Sequence, residues 1–139
     1  MGTPSIVIST SQNRDGLMRG VNYFDRQGNK LSETDPLGLT RTYTYDANDN
    51  LLSETDPLGL VTSYTYNARN DVLTTTDPLG HVTTNTYNTN GDLLTTADAL
   101  GHVTSHTYDA DGNLTSTTDA LGNITQNEYD AAGNRVKEI

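Results

Sequence analysis

Apolar and polar positions alternate along this chain in short runs, and the runs recur in register every 21 residues. Leu60-Val61-Thr62-Ser63-Tyr64-Thr65-Tyr66 is one run and Val72-Leu73-Thr74-Thr75-Thr76 the next. Thr, Tyr, Val and Leu in such runs suit a pleated, half-buried surface, so each repeat predicts two strands. Helix is excluded by the β-branched content, by Gly or Pro interrupting about every ten residues, and by the absence of a 3.6-residue apolar stripe. A fixed period of this length, held without insertion or deletion, marks a repeat architecture.

Two turn signals separate the strands. The first is Asp-x-Leu-Gly, in which Leu37, Leu58, Leu79, Leu100 and Leu121 precede Gly38, Gly59, Gly80, Gly101 and Gly122. Pro36, Pro57 and Pro78 preset φ for the second place of a type I turn; Ala99 and Ala120 stand there in later copies, so proline assists without being required. The second turn follows Phe24 and the column Tyr45, Tyr66, Tyr87, Tyr108, Tyr129. Positions 28, 49, 70, 91, 112 and 133 there read Gly, Asp, Asn, Gly, Gly, Gly, the residue types that tolerate a left-handed backbone. The next position is always Asn or Asp, giving the Gly/Asx pair of a tight reversal.

Alternation assigns the faces. Tyr45 and its equivalents share a face with Tyr43, Tyr64, Asn85, His106 and Asn127; Thr40, Val61, Val82, Val103 and Ile124 point the other way. Leu51 and Leu52 are adjacent, and a regular pleat places them on opposite faces. Both faces thus carry apolar columns, which predicts a sheet that curls or is covered by another copy, with the same few apolar positions buried in each repeat. The expected organisation is an atypical N-terminal strand and turn over residues 1–16, with Ser5–Thr10 as the strand and Asp15-Gly16 as the turn. A repeat array over 17–139 follows and ends in mid-repeat. An open last strand invites pairing with a partner.

Composition read without the period points toward disorder: net charge is −10 and Leu, Ile, Val and Phe make up about 19% of the 139 residues. The register overrides that, because a disordered chain has no reason to keep Tyr, Leu and Gly in step. Fourteen of the eighteen acids are Asp, mostly in the turns. The charge is therefore turn chemistry, and it disfavours nucleic acid and anionic membrane surfaces as partners. With no cysteine, disulfides and thiolate metal sites are excluded. No apolar stretch approaches the roughly 20 residues of a membrane span, so no membrane insertion is expected, and the N-terminus lacks a signal-peptide pattern.

The units Tyr45-Asp46-Ala47-Asn48-Asp49-Asn50-Leu51 and Tyr108-Asp109-Ala110-Asp111-Gly112-Asn113-Leu114, each followed by Thr-Asp-x-Leu-Gly, resemble the YD repeats of Rhs proteins. The resemblance spans residues 17–139. It implies an all-β fold: an antiparallel, twisted or spiralling β-ribbon of about a dozen short strands. In the family, which includes bacterial polymorphic toxins, toxin-complex C components and teneurins, such ribbons build a hollow shell; in bacterial members the shell sequesters a toxic C-terminal domain released by self-cleavage. This chain carries neither a toxin domain nor identifiable self-cleavage aspartates after its repeats, and it has fewer repeats than a closed shell needs. The resemblance implies a bacterial protein, secreted or at the cell surface, with toxin cargo or the rest of a longer Rhs-type chain as partner.

Residues that suggest sharper chemistry also have structural roles. His81 and His102 share a repeat column and His102 shares a strand face with His106, but four strand residues span about 13 Å, too far for one ion. No metal or cofactor is expected. The Tyr columns could stack on sugars, which makes Tyr43, Tyr64, His81, His102 and His106 the candidate ligand or self-association face. Rows such as Thr42-x-Thr44 and Ser63-x-Thr65 suggest an ice-binding face, but two strands per repeat would space them near 9.6 Å. No nucleophile elbow, phosphate loop or cysteine nucleophile is present. The expectation is a non-enzymatic structural module that self-associates through open strand edges; the alternative is an adhesin or glycan-binding module.

Overall fold

The computed structural model describes residues 7–12 and 18–139. Among them are thirteen strands and no helix. Contacts divide the chain into two units, Met1–Thr65 with Asp77–Leu79, and Tyr66–Thr76 with Gly80–Ile139. The first unit contains β1 (Val7–Gln12), β2 (Met18–Phe24), β3 (Lys30–Thr34), β4 (Thr40–Tyr45), β5 (Leu51–Thr55) and most of β6 (Val61–Tyr66). The second contains β7 (Val72–Thr76), β8 (Val82–Tyr87), β9 (Leu93–Ala97), β10 (Val103–Tyr108), β11 (Leu114–Thr118), β12 (Ile124–Tyr129) and β13 (Arg135–Glu138). Within each unit every strand pairs antiparallel with the next in sequence. The chain is an all-β ribbon of hairpins, as the alternation predicts. The Asp15-Gly16 turn lies outside the described residues; of the expected first strand, Val7–Thr10 falls within β1.

Both turns of the repeat turn out to be the same structure. In the first, the Gly38 N–H donates to the Asp35 carbonyl at 3.0 Å and the Asp35 N–H donates to the Leu39 carbonyl at 2.9 Å. In the second, Asp49 N–H donates to the Asp46 carbonyl at 3.3 Å and Asp46 N–H to the Asn50 carbonyl at 3.0 Å. The fourth residue has positive φ in both, 84° at Gly38 and 64° at Asp49, while the third does not. That combination is a type I turn closed by a left-handed residue, the three-residue hairpin loop whose twist matches the strands.

The two hairpins of a repeat differ in their ladders. Across the Asp-x-Leu-Gly turn three residue pairs form, Ser32↔Thr42, Glu33↔Arg41 and Thr34↔Thr40. Across the other turn the pairing shifts register between Thr44 and Tyr45, so that Tyr45 faces Leu51 and Leu52 is the extra residue of a bulge. Regular alternation stops at that point, and the opposite-face placement of Leu51 and Leu52 does not follow from it.

No residue among those described is fully buried. The turn leucines Leu37, Leu58, Leu79, Leu100 and Leu121 are 80–88% exposed. Each occupies the third place of its turn, at the tip of a hairpin, where the backbone carries the side chain away from the sheet. Order comes from local hydrogen bonds and half-buried side chains, repeated from strand to strand.

Candidate functional site

The turn loops are built around one side chain each. Asp35 Oδ1 accepts from the backbone N–H of Leu37 at 2.8 Å and of Leu39 at 2.9 Å. Asp46 Oδ1 does the same for Asn48 and Asn50, and Asp109, Asp119 and Asp130 repeat it. This Asx geometry satisfies two loop donors and sets the turn. A second residue four places on clamps the other oxygen: Asn50 Nδ2 donates to Asp46 Oδ2 at 2.9 Å and Asn123 Nδ2 to Asp119 Oδ2 at 2.7 Å. In two copies the partners exchange roles, with Asn67 Nδ2 donating to Asp71 Oδ2 and Asn88 Nδ2 to Asp92 Oδ2. Every second-type turn thus has one Asp and one Asn at its first and fifth places, so an amide always meets a carboxylate. The side-chain amide is the largest cause holding the carboxyls of Asp46, Asp109, Asp119 and Asp130 below the usual range.

The histidines join this scheme in part. His102 Nδ1 lies 2.8 Å from Asp98 Oδ2, the position Asn takes elsewhere, and this contact is the largest cause lowering the Asp98 carboxyl. His106 lies within β10, with Nδ1 3.1 Å from Thr117 Oγ1. His81 is exposed beside the Asp77 turn. Among the described residues no group of three or more His, Cys, Asp or Glu is placed to hold a metal ion.

The tyrosine columns close the open ends of hairpins. The hydroxyl of Tyr45 donates to the Lys30 carbonyl at 3.1 Å, Tyr87 to Val72 at 2.8 Å, Tyr108 to Leu93 at 2.9 Å and Tyr129 to Leu114 at 2.9 Å. Each carbonyl lies just beyond the last ladder pair of an Asp-x-Leu-Gly hairpin. Asn85 and Asn127, in the Tyr43 column, add their amides to the Val72 and Leu114 carbonyls. The rings are half-buried, and burial raises the phenols of Tyr45 and Tyr108.

On the same face of the first unit, Arg41 pairs with Glu54 at 2.7 Å, while Glu33 takes Lys30 at 2.7 Å and the Tyr43 hydroxyl at 2.9 Å. Burial, then the Glu33 contact, pushes the Tyr43 phenol up to about 12; Lys30, then Tyr43, lowers Glu33. An open hollow of about 570 Å³ adjoins Asn22, Glu33, Asp35 and Arg41. The ionic groups of Glu33 and Arg41 are already paired with one another's neighbours.

The opposite face carries hydroxyls and methyls. Register places Ser32, Thr34, Ser53 and Thr55 from the short strands beside Thr40, Thr42, Thr44 and Ser63 from the long ones. The 9.6 Å spacing expected from the long strands alone is therefore corrected: from β3 to β6 and from β7 to β11 the short strands fill the gaps, and hydroxyls recur at each strand, about 4.8 Å apart. Neighbouring hydroxyls bond one another, Thr34 with Thr40 at 2.8 Å, Thr44 with Ser53 at 2.7 Å, Thr86 with Thr95 at 2.6 Å and Thr107 with Ser116 at 2.7 Å.

Hairpins with two identical loop types and a tyrosine tie between neighbouring strands define a repeat-built β-ribbon. The RHS repeat model matches residues 24–57, 45–82, 87–124 and 108–139, and the chain belongs to that family. Solved structures with the same fold include a TcdB2–TccC3–Cdc42 crystal structure, at TM-score 0.70 and 18% identity over 93% of this chain. The Tc holotoxin pore of Photorhabdus luminescens with a mutated TccC3 matches at TM-score 0.70 and 18% identity over 86%. TcdB2–TccC3 lacking its hypervariable C-terminal region matches at 0.68 and 18% over 94%. The chain spans only 7–8% of those proteins' length. None of the curated proteins compared matches it.

Proposed function

We propose that this chain is a stretch of encapsulating wall: a non-catalytic section of Rhs-type ribbon that, continued by further repeats, separates an enclosed polypeptide from its surroundings. The observation that carries this reading is the loop identity. Because both turns of each repeat close in the same way, each hairpin presents to the next the edge it received, and the ribbon extends without a limit set by its own geometry. Its relatives of known structure are parts of toxin complexes, which supports a secreted or extracellular setting and a toxin as the enclosed chain. Copies associate in the absence of the remaining wall.

The test is protease protection. In a chain where this array is continued by repeats and a C-terminal segment, that segment is expected to resist protease until the array is unfolded. Digestion as fast as that of the isolated segment would overturn the wall reading. The glycan-binding alternative draws no support from the main tyrosine column, where the described hydroxyl bonds of Tyr45, Tyr87, Tyr108 and Tyr129 go to backbone carbonyls.

A further inference from the structure

The charges of the second unit are distributed unevenly. Asp92, Asp98, Asp109, Asp111, Asp119 and Asp130 all lie in turns, at the two rims of the sheet. From β7 to β11 the hydroxyl face carries only Thr, Ser, Val and Ala at the paired positions. Val82 and Val103 stand on it 39–44% exposed, and β12 continues the face with Ile124, Gln126 and Glu128. The lateral bonds Thr86–Thr95 and Thr107–Ser116 already satisfy hydroxyls within the sheet. Covering hydroxyls so bonded leaves little unpaired polarity behind at those four residues.

We propose that this face of the second unit, centred on Ser105, is the contact through which a second copy of the chain packs, sheet against sheet. Three features select a second copy. From β7 to β11 this face is the part of a strongly acidic chain where two copies approach without opposing carboxylates; the acid nearest to it is Glu128, one strand further on in β12. Its rows repeat at the strand spacing, so a sheet with the same spacing seats its side chains between them over several strands. Its side chains are short, which lets the two backbones come close; the tyrosine face, with rings tied to their own carbonyls, is less regular. The footprint of five strands is roughly 19 Å by 17 Å, about 320 Å² per partner. That is below the size of a tight dimer, and association is expected in the micromolar range or weaker.

This inference rests on the self-association in the proposed function and assigns it to a face instead of a strand edge. Sedimentation equilibrium of the chain up to millimolar concentration tests both. The expected result is a concentration-dependent dimer that Ser105→Lys weakens at least about tenfold, by burying a charge without a partner, while Thr104→Lys on the other face leaves it intact. A strict monomer overturns self-association itself. A dimer untouched by Ser105→Lys, or lost equally with Thr104→Lys, overturns the face assignment alone. Should Ser105→Lys fail to fold, Ser105→Cys and Thr104→Cys serve in its place, since the chain has no other cysteine. Maleimide labelling of Cys at 105 is expected to slow as concentration rises and that at 104 to stay constant; equal rates would refute the contact.

Discussion

The Tyr108 hydroxyl donates a 2.9 Å hydrogen bond to the carbonyl of Leu93, fifteen residues back. The β9–β10 ladder runs from Val103↔Ala97 only to Ser105↔Thr95, and the ring spans the gap beyond it. One side chain thereby replaces the next rung and ties one repeat to the last.

Tyr108→Phe keeps the ring and removes the tie. It is expected to cost about 0.5–1.5 kcal/mol, a typical net hydrogen bond, measured by urea denaturation. An unchanged midpoint would mean water substitutes fully at the Leu93 carbonyl.

The exchange of roles between Asn67/Asp71 and Asp46/Asn50 makes a reciprocal prediction. Asn50→Asp alone sets two carboxylates against each other and lowers the thermal midpoint. Adding Asp46→Asn restores the amide–carboxylate contact, and the double variant regains most of the loss. Additive losses in the two single variants would show that the contact contributes nothing.

At Gly101 a Cβ would meet nothing within 4 Å, but φ is +84°. Gly101→Ala is therefore a test of backbone conformation alone, expected to cost about 1–2 kcal/mol. Gly101→Asn should cost less, because Asp49 and Asn70 already adopt φ of 64° and 67° at the equivalent place. Pro57→Ala should cost only about 0.4–1 kcal/mol, by loosening the unfolded chain less strictly, in keeping with Ala99 and Ala120. Chemical denaturation of the three variants ranks them.

The turn carboxyls make stability depend on acid. Asp46, Asp109, Asp119 and Asp130 have folded values lowered by their hydrogen bonds. The unfolded chain therefore takes up protons first as pH falls. The stabilisation is complete above the unfolded value of about 4 and is lost below it, as pH passes through the lowered folded values. Circular dichroism melts are expected to show a level midpoint from pH 7 to about 5 and a fall below about 4. A midpoint that stays level down to pH 2.5 would remove the Asx clamp as a stabilising device.

Much of the fold was legible in the residues because its determinants are local. Asp, Gly and Asn at fixed offsets define the loops, and alternation of Thr and Tyr assigns strands and faces. The histidines were legible only as a column; that His102 stands in for Asn beside Asp98 needed the loop geometry. The exposure of the turn leucines likewise follows from the loop geometry, because a turn tip repeats a residue without burying it. The tyrosine ties also stayed hidden, because a bond between residues fifteen apart exists only once a three-pair ladder and a bulged one lie side by side.

By itself the sequence determined the period, the two turns per repeat, the antiparallel order and the concentration of Asp in the turns, all consequences of backbone preference and spacing. Tertiary structure decided that the two turns are one loop type, that short strands as well as long ones carry the hydroxyl rows, and that the turn leucines are exposed while the tyrosines lock neighbouring strands. These depend on which strand lies beside which and in what register, information carried by pairing between segments and by no segment alone.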